Sequence, residues 1–539
     1  GNFDYEKLAN EIEKKLSIFK NTNDLDIKFD IDGPKKFQIK ELWETKHAKR
    51  SYWSKSFIDL QNDVTTKDLI QEGFNRIEHL KRFTTNSMGT DQGKISSINA
   101  LGIVSKILKK NVSEVGTTTY RPPYAPLSFS AIAGRSTYDF YDPKRKTPIH
   151  EWHIENNAVF EDVGQWKRPW YFKKYENESM YDAVQRESKQ TREAAGILDG
   201  STLGKIEIKG RDALEFVNLI YTNSFTKMKP GFGRYALMLG EDGMVKDDGI
   251  VCKITNQHFI VTTTTGGAAS VLSHMEEYAQ TEWPNMNVYM NSITEQFATF
   301  NLSGPKSKLI MSRVFNNVDF SNERFPFMSF KTFDYLDTQI RVLRASFTGE
   351  MGYEIYVPPK YALKLWERIF YYSQDIGLVP YGTETMHLLR AEKGYIIVGQ
   401  ETDGTVTPLD LNLNWMIGKN KKDFIGKRSL VRSDTIKEDR KQLVGLIPLD
   451  KTYGIEEGQH VIENEEISTP IINPIKMLGH VTSSYFSPTL EHCIAMALIK
   501  DGNRKIGTQL FVSTPNHQSI PVEVVKPIFL DPNNERMQI

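Results

Sequence analysis

From Tyr181 onward the chain runs through one order of elements twice, and this constrains its fold more than any single motif. "STLGKIEIKG" reads as a strand, "RDALEFVNLIYTN" as a helix, and "RYALMLGEDGMVKDDGIVCKI" as a hairpin. "HFIVTTTTGGAASVLSHMEEYAQ" adds a strand and a helix opening at Gly266-Gly267. A similar order returns in "ATFNLSGPKSKLIMSRVF", "IRVLRASFTGEMGYEIYVP" and "KYALKLWERIFYYS". Two structurally similar α+β halves are therefore expected. After Lys437 the text turns β-rich and turn-rich, which suits a small barrel or sandwich.

The remaining text sets boundaries on class. At 539 residues the chain exceeds one ordinary core, so two to four domains are expected. Lys+Arg and Asp+Glu are both 68, so no global field draws the chain to nucleic acid or to an anionic membrane. No apolar run approaches the roughly 20 residues that cross a bilayer, and the opening "GNFDYEKLANEIEKKLSIFK" does not read as a signal peptide. Tyr5, Leu8, Ile12, Leu16 and Phe19 instead fall at helical spacing. Cys252 and Cys493 are too few for a disulfide framework and lack metal-ligand spacing, so a reducing cytoplasm is the expected setting.

"DLDIKFDIDG" alternates Leu25, Ile27, Phe29 and Ile31 with polar residues, as a half-buried strand does. "SFIDLQNDVTTKDLIQEGF" reads as a strand to Asp59 and a helix from near Thr65, an α/β unit. No G-x-G-x-x-G or G-x-x-x-x-G-K-[ST] phosphate loop occurs, so a complete dinucleotide domain is not written here. Residues 111–172 are rich in Pro, Trp and Tyr with few signs of regular structure, and read as an ordered connector laid over a surface.

The hairpin "YALMLGEDGMVKDDGIV" sets Asp247 beside Asp248, and adjacent residues on a strand face opposite sides, so only one can point into a cleft. The bland alternative is two exposed hairpin charges. Elsewhere, "TGEMGYE" offers Glu350 and Glu354, or simply a turn with exposed acids. His150 and His153 have possible metal spacing but no further ligands, and satisfied surface histidines are the plainer reading. "TTTTGG" offers backbone N–H groups to an anion, or only a turn. "GKNKKDFIGKRSL" reads as a solvated lysine face, or as a draw for polyanionic tails.

Six stretches between residues 181 and 525 together resemble the aminomethyltransferase family, the folate-dependent T-protein of the glycine cleavage system. They are "STLGKIEIKGRDALEFVNLIYTN", "YALMLGEDGMVKDDGIV", "NLSGPKSKLIM", "SFTGEMGYEIYVP", "LLRAEKGYIIVGQETDGTVTPLDLNLNWMIGKNKKDFIGKRSL" and "LGHVTSSYFSPTLEHCIAMALI". Upstream, "FIDLQNDVTTKDL", "IEHLKRFTTNSMGTDQGK", "TTTYRPPYAPLSF" and "VFEDVGQWKRPWYF" are similar to the α subunits of heterotetrameric sarcosine oxidases. The resemblance implies the end of an α/β dinucleotide-binding domain (1–110), an interface connector (111–180), an aminomethyltransferase-like folate-binding domain of two α+β halves (181–436) and a C-terminal β-barrel (437–539).

It also implies chemistry. A one-carbon unit arrives as an imine made by flavin oxidation and is captured by tetrahydrofolate, giving 5,10-methylenetetrahydrofolate and glycine. A carboxylate beside the reacting nitrogens would stabilise positive charge and take a proton. The family motif, a glycine followed by an acid pair and here running from Gly243 to Asp248, is taken to assign this role to Asp248, with Asp247 second. T-G-E assigns pterin reading to Glu350, with Glu354 turned to the opposite environment or solvent. Tyr235 and Tyr353 would stack on or edge the pterin, or merely pack. Arg390 would hold the glutamate tail, or act as an ordinary ion-pair residue. Trp415 is expected in the core or a pocket wall, and Tyr485 in the cleft. FAD or FMN is expected in a partner β subunit, with smaller subunits completing a hetero-oligomer. NAD is expected only with the longer N-terminal portion that this sequence lacks. Alternatives are a non-catalytic assembly or channel subunit, or a related folate-dependent demethylase or dimethylglycine-oxidising enzyme.

Overall fold

The doubled order of elements becomes two sheets of matching strand order. The computed structural model describes residues 72–84, 96–119 and 127–135, a few isolated earlier positions, and 138–538 apart from 452, 465–474 and 516–517. It divides into two compact units, 1–137 and 138–539. In the first, the helices Ile77–Phe83 and Ser96–Leu108 join around Ile77, Leu80, Ala100 and Val104. Lys7, Asn10 to Ile12 and Lys14 are helical. The strands expected at 25–31 and ending at Asp59, and the helix start near Thr65, lie outside the described residues.

The second unit opens with more regular structure than its Pro-rich text suggested. The helix His150–Glu155 leads into an antiparallel hairpin of β1 (Ala158–Val163) and β2 (Trp166–Phe172). Pro169 cannot donate to a ladder, and the register shifts at Val159/Phe160, beside its position in the hairpin. The helix Met180–Glu193 follows, capped by Ser179 Oγ accepting from Asp182 N–H. Then come β3 (Ala195–Asp199) and the first half: β4 (Gly204–Lys209), the helix Ala213–Ile220, β5 (Phe232–Leu239), β6 (Val245–Thr255), β7 (His258–Thr263), the helix Ala268–Thr281 and β8 (Tyr289–Ser292). The second half repeats this with β9 (Ala298–Ser303), the helix Ser307–Val314, β10 (Phe330–Tyr335), β11 (Thr338–Leu343), β12 (Gly352–Val357), the helix Ala362–Tyr371 and β13 (Leu378–Pro380).

The first sheet has the order β5-β6-β7-β4-β8 and the second β10-β11-β12-β9-β3-β13. The second is the first with β3 slipped in beside β9. Each half has its own core. In the second, Ala362, Leu365, Trp366 and Ile369 recur on one helical face and bury against Ile197, Phe300 and Ile355. The helix Thr383–Glu392 then leads toward the closed barrel of β14 (Lys441–Pro448), β15 (His460–Ile462), β16 (Met477–Ser487), β17 (His492–Lys500), β18 (Gln509–Ser513) and β19 (Ser519–Val525). Among the described residues no helix is long and apolar enough to cross a membrane.

Candidate active site

Register in the β5–β6 hairpin pairs Met238 with Asp247 and Leu237 with Asp248, and the pleat sends the two acids to opposite faces. Asp247 is 3% exposed and lies against the start of the helix Ala268–Thr281: a Cβ on Gly267 would stand 2.5 Å from its Oδ2. The acid itself fills the place that "TTTTGG" offered to an anion. A helix N-terminus favours negative charge there, yet burial lifts the Asp247 pKa to about 6, against the pull of Thr264. Neither of its oxygens meets a donor in hydrogen-bonding geometry among the described residues.

Asp248 is half-buried. Burial pushes its pKa up to about 7; the Tyr235 hydroxyl, which donates to Oδ2 at 2.5 Å, works against that rise, and the Asp247 charge adds to it. Both acids thus belong to the fold, and the bland picture of exposed hairpin charges is excluded. The next residue must be glycine for a steric reason: a Cβ on Gly249 would lie 1.9 Å from the Thr262 carbonyl oxygen on β7. Gly249→Ala is expected to destabilise the chain by about 1–3 kcal/mol, as overpacking does, and to be seen as a lower urea midpoint with an unchanged slope.

Tyr235 and Tyr485 both edge one apolar cluster that includes Leu237, Ile396, Met416 and Met496. Burial raises the Tyr485 hydroxyl pKa. The other half holds a cavity of its own. Asn301, Phe347, Thr348, Glu354 and Tyr381 line this narrow cavity of only about 10 Å³. Phe347 stacks on Tyr395 with centroids 6.1 Å apart and planes at 24°, and Tyr395 is close enough to Tyr235 to raise its pKa. This aromatic pair, which no sequence pattern marked, borders the cavity through Phe347.

The structure redistributes the other assignments. On β12, Tyr353 and Ile355 enter the apolar core of the second half, so alternation sends Glu354 to the cavity rather than to solvent. There burial raises its pKa, and the Tyr356 hydroxyl donates to it at 2.6 Å. Glu350 sits before the strand and is fully buried; its Oε1 accepts from Arg192 Nη1 at 2.8 Å and Arg536 Nε at 2.6 Å. Tyr353 packs edge-on against Phe320 and Phe325, which is core packing and not a stacking platform.

Arg390 is fully buried. Its guanidinium donates to Glu401 at 2.7 Å, Gln400 at 3.0 Å, Ser483 at 2.7 Å and the Tyr395 carbonyl at 2.9 Å. That is an internal ion pair, not a cation open to a ligand's tail. Trp415 is 67% exposed: the 3-10 turn Asn414–Met416 buries Met416 and turns the indole out, correcting its expected core position. The lysine run is a solvated face at Lys419, Lys422 and Arg428 but not at Lys421. Lys421 Nζ donates to the carbonyls of Asn218, Tyr221 and Asn223, capping the end of the helix Ala213–Ile220. His153, expected at the surface, is buried and bonded to Asp199 at 2.9 Å, while His150, also buried, rests on Phe160. Among the described residues no cluster suits a metal ion.

Paired sheets, a closed barrel and a buried acid pair place the chain in the aminomethyltransferase fold class. The structure of glycine cleavage system aminomethyltransferase T from Bartonella henselae matches with a TM-score of 0.61 at 24% identity, over 72% of this chain and 98% of that one. Family models match at residues 149–421 (GCVT N-terminal domain), 441–531 (glycine cleavage T-protein C-terminal barrel domain) and 53–135 (sarcosine oxidase A3 domain). The aminomethyltransferase of Chlorobium phaeovibrioides is 30% identical over 372 residues, 68% of this chain and 94% of that protein. The chain belongs to the glycine cleavage T-protein family. Within it, the chain is a homologue of sarcosine oxidase alpha subunits: that of Corynebacterium sp. (strain U-96) is 46% identical over 487 residues, 89% of this chain. The chain spans about half the length of that relative.

Proposed function

We propose that this chain is the one-carbon-transferring segment of a sarcosine oxidase α subunit, delivering the one-carbon unit of an imine to tetrahydrofolate with release of glycine. The observation that carries this is the Asp248–Tyr235 pair: a half-buried carboxylate with raised proton affinity, held by one short hydrogen bond on an otherwise apolar wall. Such a group stabilises positive charge on a carbon–nitrogen unit and accepts the proton that leaves a folate nitrogen. The cavity chemistry fits a reduced pterin. Glu354 is a carboxylate able to accept paired N–H donors, and Asn301 Oδ1, on the same wall, is a buried acceptor with no hydrogen-bond partner among the described residues. Glu354 is therefore the proposed pterin reader, while Glu350 shapes the turn beside it.

A flavin-bearing β subunit would supply the imine. Tyr138 and Phe140, each more than four-fifths exposed, suit a protein interface within 111–180. NAD has no fingerprint in this sequence and is assigned to none of its residues. Titration of the chain with tetrahydrofolate tests the reading directly; absence of binding overturns it.

The pH dependence has opposite signs for rate and stability. Transfer needs ionised Asp248, so its rate should rise with pH through about 7. Stability should run the other way. The folded pKa lies above the ordinary value of 3.8, so the contribution of protonated Asp248 is complete below about 3.8 and is lost as pH rises through about 7. Tyr235→Phe removes the donor that favours the charged form, and should move the rising limb of a pH–rate profile to higher pH.

A further inference from the structure

We infer that residues 529–538 form a latch behind the proposed folate cavity, with Arg536 as the positioning residue that fixes the turn 347–350 through Glu350. The inference rests on the folate reading of that cavity for its functional half, and on contacts alone for its structural half.

Arg536 reaches across the second half in three ways. Its Nε donates to Glu350 Oε1 at 2.6 Å, its Nη2 to the Arg192 carbonyl at 2.9 Å, and its own carbonyl accepts from Met351 N–H at 3.1 Å. Neighbouring residues reinforce it. Lys393 Nζ donates to the Asp531 carbonyl at 2.5 Å and to Asn534 Oδ1 at 2.9 Å, while Arg344 Nη2 donates to the Met537 carbonyl at 3.2 Å. Met537 Sδ also lies 3.9 Å from the Tyr395 hydroxyl. The segment thus grips both partners of the Phe347–Tyr395 stack, one through the turn and one directly.

Charge balance explains why Arg536 matters most. Arg192 lies between Glu392 Oε2, at 2.5 Å from Nη2, and Glu350 Oε1, at 2.8 Å from Nη1, and it also donates to the Thr348 carbonyl at 2.7 Å. Two guanidiniums therefore serve two buried carboxylates. Without Arg536, Glu350 loses its second guanidinium and keeps only Arg192, which it shares with Glu392, and removing one partner of a buried carboxylate is unfavourable. The turn that presents Phe347 and Thr348 to the cavity lies outside any helix or strand, whereas Glu392 is held in a helix and by Ser487.

The test uses the full chain with Arg536→Ala and Arg536→Lys, 5-formyltetrahydrofolate as the probe in calorimetric titration, and amide hydrogen exchange across 344–352. Arg536→Ala should weaken folate binding by about tenfold or more and speed exchange in 344–352 while leaving β14 and β17 unchanged. Arg536→Lys, which keeps the charge, should restore most of the affinity. Unchanged exchange in 344–352 overturns the latch, whatever folate does. Faster exchange with unchanged affinity overturns the positioning role. If the unaltered chain binds no folate, the functional reading fails by itself, and exchange still decides the latch.

Discussion

Replacing Asp248 by Asn is expected to cut methylene transfer by about 10²–10⁴-fold, the range set by removal of a positioned acid–base group, while leaving folate binding largely intact. Asn keeps the shape and still accepts the Tyr235 hydroxyl, so the hairpin should fold as before. The amide cannot carry the negative charge or take the proton. Because the native carboxylate is held above its ordinary pKa by burial, the neutral substitute should also make the chain more stable above pH 7, where the parent must keep a charge in a poorly hydrated place. Lost transfer with gained stability is the signature of a group retained for chemistry. Asp247→Asn should behave differently. Its carboxylate faces a helix start rather than the Tyr235 side, so transfer should fall by less than about tenfold, short of a positioned acid–base group's effect. Single-turnover measurement of methylene transfer with both variants checks the assignment. A larger loss at Asp247 would exchange the two roles.

The sequence made the local features legible and left the long-range ones hidden. Alternation in "IEIKG" and "YEIYVP" and helical spacing in "ALKLWERIF" marked both halves, because each pattern reports burial on one face of one element. The same logic located the acid pair and required its two side chains to diverge. It had no means of showing β3 inserted between β9 and β13, with the β9 pairing spanning about a hundred residues. It also lacked the partners of buried ions. Arg390 looks from its neighbours like an available cation, and only the fold brings Glu401 and Ser483 to it. Lys421 likewise looks solvated until the helix end lies under it. Glu354 was within reach of the text: once Tyr353 and Ile355 are counted as core, the intervening residue must face the other way. The T-G-E motif drew attention to Glu350 instead, whose two arginine partners stand 158 and 186 residues away.

Glu401→Ala should be among the most destabilising substitutions in the chain, at about 3–5 kcal/mol, the cost of leaving one member of a buried pair alone. Arg390 and Glu401 are both fully buried and 2.7 Å apart. Glu401 also accepts from Ser483 Oγ at 2.5 Å and from Ile397 N–H at 2.8 Å, so three donors lose their acceptor at once. The pair links the helix Thr383–Glu392 to barrel strand β16, and its loss should loosen that joint before either sheet. Urea denaturation followed by tryptophan fluorescence gives the magnitude, and Arg390→Met with Glu401→Met together should recover much of it, since an apolar pair leaves no charge unpaired. The same variants decide what Arg390 is for. If it held a folate tail, Arg390→Met would weaken polyglutamylated folate more than the monoglutamate and Glu401→Ala would cost little stability. The geometry predicts the reverse: a large stability loss and an equal effect on both folates, because the guanidinium is fully buried and both of its terminal nitrogens are already committed to four internal acceptors.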